Sequence, residues 1–442
     1  METLNEWHNQ VVMDFSEIGI CFREDSIALN PYKISSSLAE EITNDMIILS
    51  KIIRKAVDYY YNLALATARI DYHEIIALYK NKKRLPPIMR PDGIFVDGQL
   101  KIIEINIDSG IGGIWEMDFL QEKYKQHPSF SSYTTKEIKS PKEAFLNFLE
   151  NFRLENFAKN YCEPVLGLIG YTDYNQFYID QAQDICEWIT KNTGFRAIYQ
   201  TPEMLKKEGD YITDGNIKYD VLFRDGSLVH LPRKTSSMLN LIKETASTKT
   251  LFLSDPYDLL IEHKAILAFL YKFSTSDELV SIFSKNEINF IKKYIPPTYM
   301  LSEEEIIYKN KRYFLDNLLI DNKNDFVIKK CCSHAGEDVY LGCDVDQIEW
   351  ENIISIARKD GVNSWVVQEM LESDTYKFIY KTKGKGFFEE EQRYTFSPFL
   401  FDKFFGGGLI RIEQDNKRRI LSLPTNNNIG SCGLFIEGNY CD

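Results

Sequence analysis

No stretch of the sequence approaches the ~20 consecutive apolar residues that a membrane span requires. The opening residues METLNEWHNQ are polar and lack the basic-then-apolar run of a signal peptide. A basic excess is missing too. Lys and Arg number 52 against 65 Asp and Glu, and the net charge of −13 argues against nonspecific binding to nucleic acid or an anionic membrane. A local cluster of cations can still hold a phosphate within an acidic whole. Cysteine is sparse: eight in 442 residues are too few for a disulfide scaffold. Cys331 and Cys332 are adjacent, and no CxxC pair or Cys/His spacing suggests zinc. The six histidines are scattered and nominate no partner for a cysteine nucleophile. Neither a Walker A sequence nor a GxGxxG fingerprint occurs, and there is no internal repeat. These absences lead us to expect a cytoplasmic protein with neither nucleic acid nor membrane as partner.

What is present is ordinary globular material. Hydrophobic residues make up 44% and charged residues 26%, which excludes a largely disordered chain. A length of 442 residues, against ~150 for one domain, predicts two or three domains. Apolar residues at helical spacing after a serine-rich start predict helix over 36–66. GIFVDGQLKIIEINID (93–108) reads as two strands around Asp97-Gly98, a strong hairpin signal. From about 164, VLGLIG, NQFYIDQAQDICEWITKN, FRAIYQ and KYDVLF alternate strand, helix, strand, strand, which predicts a parallel sheet with crossover helices. Residues 256–320 read as mostly helical. Strand texture returns at 325–330, 364–371, 376–382 and 409–414, with 383–392 as an exposed hairpin tip.

Five pieces carry chemistry. In RPDGIFVDGQLKIIEINIDSGIGG (90–113), Glu104 and Asn106 are two apart and leave the sheet on one face, with Asp92 on the partner strand. Two carboxylates and an amide oxygen make an all-oxygen set suited to Mg²⁺ shared with phosphates. The competing reading is the solvent face of an amphipathic strand. In FVIKKCCSHAGEDVYLG (326–342) a strand ends in lysine before a small-residue loop with Gly336, an order that suits a phosphate-covering flap. Lys329 and Lys330 should point to opposite faces, and a strand-end lysine is often only a solvated group. SWVVQEML (364–371) is an apolar strand ending in Gln368-Glu369, an edge that suits an adenine ring or simply a buried strand. In SPFLFDKFFGGGLIRIEQ (397–414) three glycines precede a strand with Arg411, and in IEHKAILAFL (261–270) a helix opens with Lys264.

The order of these pieces resembles the circularly permuted ATP-grasp ligases, specifically the synthetase part of glutathionylspermidine synthase and related carboxylate–amine ligases. The matching residues are Arg90-x-Asp92, Glu104-x-Asn106-x-Asp108, Lys264, Lys329 with Gly336, Gln368-Glu369 and Arg411, and the likeness spans roughly residues 85–442. The resemblance implies an α/β (α+β) ATP-grasp fold in permuted order. It implies a helical N-terminal region over 1–88, metal-binding strands with connecting helices over 89–160, a pre-ATP-grasp-like α/β substrate-side domain over 161–255, and nucleotide-binding subdomains over 256–442. It further implies that Asp92, Glu104 and Asn106 hold Mg²⁺, and that Lys264 and Lys329, with the loop at Gly336, hold ATP phosphates. Gln368, Glu369 and Leu371 would line the adenine hinge, Arg90 and Arg411 would meet the transferring phosphate, and Arg224 would belong to the substrate side. Two departures stand out: Lys330-Cys331-Cys332 replaces the family's proline or glycine, and SGIGG replaces its threonine-proline turn. The second argues against glutathione and spermidine as substrates.

The expected function is therefore an ATP- and Mg²⁺-dependent ligase that joins a small-molecule or peptide carboxylate to an amine through an acyl phosphate. A nucleotide-binding scaffold with reduced catalysis and an ATP-dependent phosphotransferase using the same site are the alternatives. A homodimer is left open.

Overall fold

The hairpin at Asp97-Gly98 is the seed of the largest sheet. Both turn residues are left-handed, at φ 51° and 73°, the two-residue geometry whose twist matches that of its strands. The Asp374 carboxylate accepts both turn N–H groups, at 2.9 and 2.8 Å. The strands Ile88–Val96 and Gln99–Ile107 pair with Arg90 opposite Asn106 and Asp92 opposite Glu104. Cross-strand partners share a face, so four polar side chains stand together. The register shifts at Gly93. A Cβ there would lie 2.7 Å from Leu100 Cδ1, 3.0 Å from the Lys101 carbonyl and 3.2 Å from the Phe396 carbonyl.

The computed structural model describes residues 2–17, 26–67, 72–107, 111–128, 135–137, 140–157, 163–171, 176–224, 235–275, 282–333, 336–361, 363–382, 386–413 and 429–437. Within them twelve α-helices and six sheets alternate, so the fold is mixed α/β. The hairpin strand Ile88–Val96 pairs with Gly386–Phe401, which pairs in turn with Phe404–Glu413. Gly93 thus sits opposite Phe396, and the early hairpin and the late strands form one sheet. The three glycines at 406–408 lie inside the strand Phe404–Glu413 rather than before it. The reason is close packing: a Cβ at Gly406 would come within 3.0 Å of Pro141 Cα on the helix Pro141–Asn156, and one at Gly408 within 2.8 Å of the Phe396 ring. The expected tip at 383–392 is also redrawn, because Gly386 onward is paired strand and 383–385 lie outside the described residues.

The strand–helix alternation after residue 164 folds as a four-stranded, all-parallel sheet in the order Leu251–Phe252, Val221–Arg224, Val165–Ile169, Arg196–Gln200. The helix Gln176–Asn192 makes one crossover. A second, antiparallel sheet has the order Thr298–Met300, Trp365–Glu369, Phe326–Lys330, Val339–Leu341. The stretch 256–320 is less helical than its residues suggest. Helices Ala265–Thr275 and Lys285–Tyr294 are followed by the strands Thr298–Met300, Glu305–Tyr308 and Lys311–Phe314. Pro296-Pro297 cannot continue a helix, and Lys309 and Asn310, left-handed at φ 48° and 63°, form the hairpin turn. Strands of three or four residues leave too little alternation to read.

At the N-terminal side, Ser35 caps the helix Ser36–Tyr59 by accepting the Leu38 N–H, and the helix Tyr61–Thr67 follows. The region is not helical throughout, because Tyr32–Ser35 pairs in parallel with Leu434–Glu437. No helix among the described residues is long and apolar enough to cross a membrane.

The crowding at Gly93 gives a test of the register. Gly93→Val should cost ~1–3 kcal/mol by overpacking in urea unfolding, whereas Gly98→Asn, at an open left-handed position that asparagine tolerates, should be close to neutral. Equal stabilities for the two variants would mean that the strand pairing around residue 93 is misassigned.

Candidate functional site

The polar face of the hairpin meets charges from three other elements. Arg411, on the strand Phe404–Glu413 one strand removed in the same sheet, donates through Nη2 to Asp92 Oδ2 at 2.8 Å. The same guanidinium is oriented by Thr395 Oγ1 at 3.0 Å and Ser397 Oγ at 3.3 Å. Arg90 Nε lies 3.6 Å from Asp92 Oδ1, and its Nη1 donates to the Gly112 carbonyl at 2.8 Å. That carbonyl is presented by consecutive left-handed glycines, Gly112 and Gly113, which lead into the helix Ile114–Lys125.

Lys264 stands just before the helix Ala265–Thr275 and is buried. Its backbone N–H donates to the Cys331 carbonyl at 3.1 Å and its Nζ to the Ser333 carbonyl at 2.7 Å. The same Nζ reaches Glu104 Oε1 at 3.1 Å. Lys329, on the antiparallel sheet, donates to the Ile103 carbonyl at 3.1 Å and to Gln368 Oε1 at 2.7 Å. Gln368 in turn donates to Thr298 Oγ1 at 3.1 Å, which fixes the direction of its amide. Lys330 leaves the strand on the other face, pairs with Asp360 at 2.9 Å and lies over the Trp365 ring.

Arg90, Asp92, Glu104, Asn106, Lys264, Lys329, Gln368 and Arg411 thus form one connected group between two sheets. Within this group four cations face the carboxylates of Asp92 and Glu104, with Glu116, in the first turn of the helix Ile114–Lys125, acting on Arg90 from outside it. Burial alone pushes the Asp92 carboxyl up, but Arg411 and Arg90 outweigh it and bring it down to about 2. Burial pushes Lys329 down to about 8, with Lys264 adding to the effect and Glu104 and Asp92 opposing it. Burial also holds Arg90 below its usual value, and neighbouring Arg411 reinforces this against Asp92 and Glu104. A desolvated surplus of positive charge is unfavourable by itself. It suits a polyanion that replaces the missing countercharge.

The oxygen set fits a hard divalent cation. Asp92 and Glu104 supply carboxylates, and Asn106, whose Nδ2 donates to the Arg90 carbonyl at 3.1 Å, keeps its amide oxygen as a donor atom to metal. Among the described residues no group of three or more His, Cys, Asp or Glu side chains forms a metal-holding cluster, so the set is complete only with the asparagine amide.

The remaining expected residues occupy neighbouring walls. Glu369 turns away from Gln368 and accepts from the Tyr308 hydroxyl at 2.7 Å, with Lys309 Nζ at 3.6 Å. The N–H groups of Glu369 and Met370 donate to the Pro297 and Asp325 carbonyls, both at 2.8 Å, and are thereby engaged within the protein. Gly336 is left-handed at φ 74° in the loop after Ser333. Arg224 is buried at the end of the strand Val221–Arg224 in the parallel sheet, away from the strands that carry the other residues. Asp108 lies outside the described residues.

Sequence reading missed several parts of the site. Thr395 and Ser397, two apart in YTFSPF, are visible afterwards as the polar side of an alternating strand. The carbonyls of Ile103, Ser333 and Gly112 leave no mark in a sequence. Glu116, in the first turn of the helix Ile114–Lys125, was also overlooked; burial raises its carboxyl while Arg90 pulls it down.

No family model matches the chain, and no curated protein does. Among solved structures, a glutathione synthetase-like effector from Globodera pallida in its apo form aligns over 99% of this chain and 96% of its own, with a TM-score of 0.66 and 11% identity. The two share a fold over essentially their whole length. A candidate gamma-glutamylcysteine synthetase from Methylobacillus flagellatus covers 88% of this chain and 87% of its own at 11% identity, but its TM-score of 0.43 carries no weight.

The Asp92–Arg411 contact predicts a pH signature. Asp92→Asn leaves two buried arginines with less countercharge and should lower stability by ~3 kcal/mol, the low end for breaking a buried pair. Because folding depresses the carboxyl from 3.8 to about 2, its contribution is fully present above pH 3.8 and is lost as pH falls through 2. The gap between wild type and variant in urea unfolding should therefore close in that window; a gap constant down to pH 2 would refute the pairing.

Proposed function

We propose that the protein is an ATP- and Mg²⁺-dependent carboxylate–amine ligase of permuted ATP-grasp type, acting through an acyl phosphate. The observation that carries this reading is the group of four cations gathered around Asp92 and Glu104 between two sheets. The fold shared with a glutathione synthetase-like effector supports it. So does the pairing of the 88–107 hairpin with strands near the C-terminus, which is the connectivity a permuted chain needs.

In this reading Lys264 and Lys329 bind the phosphates of ATP from two sides, and Arg411 and Arg90 stabilise the charge that develops on the transferring phosphoryl group. Magnesium held by Asp92, Glu104 and Asn106 would supply further charge neutralisation and orientation of those phosphates. The carboxylate substrate takes the γ-phosphoryl group and becomes an acyl phosphate, and an amine then displaces phosphate to give an amide. The base would lie beyond the strand Trp365–Glu369 near Leu371, and the parallel sheet with Arg224 would form the substrate side. The four-part domain division read from the sequence and a cytoplasmic location belong to the same proposal.

ADP release assayed with a carboxylate pool alone, an amine pool alone and both together tests the reaction class. A ligase gives ADP and a product of acid plus amine minus water only with both. ADP and a phosphorylated product without amine would indicate a phosphotransferase, and ATP binding without ADP a scaffold.

Two variants probe the roles. Glu104→Gln keeps the shape but removes an anionic ligand, so turnover should fall at least ~10²-fold, with Tm recorded in parallel because buried Lys264 loses its charged partner; unchanged turnover at saturating Mg²⁺ would take Glu104 out of the metal site. The second concerns pH. Since Lys329 loses its proton near pH 8 and only the ammonium attracts phosphate, affinity for ATP should decline as pH rises past that value. Lys329→Arg stays charged and should flatten the decline, and the same slope in both proteins would assign the titration to another group.

A further inference from the structure

A second charged cavity, of about 280 Å³, shares no lining residue with the Asp92 group. Its floor is formed where Pro86 and Pro87 lead into the strand Ile88–Val96, beside Asp402 in the turn between Gly386–Phe401 and Phe404–Glu413. The Asp402 N–H donates to the Pro87 carbonyl at 2.8 Å, which ties the two sides of the floor together. Five extended residues separate Pro87 from Asp92, about 17 Å at ~3.3 Å per residue. A small molecule here cannot touch the phosphate-facing group.

The lining carries both charges, on different elements. Lys51 and Arg54, one turn apart on the helix Ser36–Tyr59, and Lys83 and Arg84, in the segment before the prolines, line the cationic side. Glu155, in the last turn of the helix Pro141–Asn156, and Asp402 line the anionic side. The two arginines are already committed to the architecture. Arg54 pairs with Asp258 and donates to the Leu85 carbonyl at 2.7 Å, and Arg84 stacks over the Tyr257 ring at 3.4 Å and donates to the carbonyls of Tyr79 and Lys80. That leaves Lys51 and Lys83, both exposed, as the cations a ligand can recruit.

The anionic side is undercompensated. Asp402 is held in a left-handed turn, at φ 56°, half-buried and within electrostatic reach of Glu155. Burial first and then Glu155 raise its carboxyl, against Lys403 and Lys51. Lys403 itself is engaged with Asn151 at 3.2 Å. Like-charged carboxylates at a cavity wall favour an incoming cation, yet the facing lysines repel a simple cation. The carboxylates likewise repel a simple anion. A molecule with both charges a few ångströms apart satisfies the two walls, and the volume lies just below the ~300–1,000 Å³ range of drug-sized pockets.

We propose that this cleft binds a small zwitterion of the α-amino-acid class, its ammonium between Glu155 and Asp402 and its carboxylate against Lys51 and Lys83. The assignment does not depend on the ligase reading. It places a second ligand site outside the reaction centre.

Saturation-transfer NMR on the full chain, with an equimolar mixture of the twenty protein amino acids, tests it directly. Methylammonium and inorganic phosphate are the single-charge arms, each run as a competitor that displaces the amino acid's signal, because phosphate carries no carbon-bound proton to observe. At least one amino acid should receive saturation, and its affinity should fall at least ~10-fold in Asp402→Asn and in Lys51→Gln, the scale of losing one charged hydrogen bond. Both variants should fold, since asparagine tolerates the left-handed turn and Lys51 is exposed on its helix. Methylammonium and phosphate should each bind at least ~10-fold more weakly than the amino acid. No transfer to any amino acid, binding unchanged in both variants, or phosphate binding as tightly as the amino acid would each overturn the proposal.

Discussion

The contact between Arg411 and Asp92, 2.8 Å across an intervening strand of one sheet, is the constraint on which the rest of the site depends. It can form only because Gly386–Phe401 lies between the Phe404–Glu413 strand and the early hairpin, so that residues far apart in sequence share one sheet. Once Asp92 is fixed, the register places Glu104 opposite it, Glu104 draws in Lys264, and Lys329 closes the group through the Ile103 carbonyl. A shift of one residue in the hairpin or its neighbouring strands would turn Asp92, Glu104 or Arg411 to the wrong face.

The same group is costly to keep without a ligand. Among the described residues the four cations outnumber Asp92, Glu104 and the neighbouring Glu116, most of them out of water, which leaves positive charge in excess in a medium of low dielectric. Lys329 shows the strain most plainly, since burial brings it to about 8 although two carboxylates stand nearby. The surrounding neutral partners reduce the cost: the hydroxyls of Thr395 and Ser397, the carbonyls of Ile103, Ser333 and Gly112, and the oriented amide of Gln368. These groups hold the cations in place without neutralising them. Charge is thereby retained for a ligand.

Much of this was legible in the sequence where the signal is local. Asp97-Gly98 specified its hairpin because few residue pairs accept two left-handed positions, and the period-two alternation in FVIKK sends Lys329 and Lys330 to opposite faces. The parallel sheet followed from its strand–helix–strand spacing. Short elements were not legible: the strands at 298–300, 305–308 and 311–314 are below the length at which alternation can be counted. The glycines at 406–408 were read as preceding the strand because glycine more often breaks a strand than lets a helix approach one; here Pro141 and Ala144 occupy the space a Gly406 side chain would need, and the Phe396 ring that of Gly408. The partnership of Asp92 with Arg411 is a long-range pairing that only the order of motifs hinted at, and carbonyl ligands such as Ser333 are invisible to any reading of side chains.

The central claim is that the cleft is built for phosphate charge rather than for a base or sugar. Isothermal titration of the wild-type chain with ATP and with adenosine, both in Mg²⁺, measures this directly. The account predicts that ATP binds at least ~10²-fold more tightly than adenosine, as expected when two or more charge-assisted contacts are made only by the phosphates. Equal affinities, or no binding of ATP at all, would contradict it.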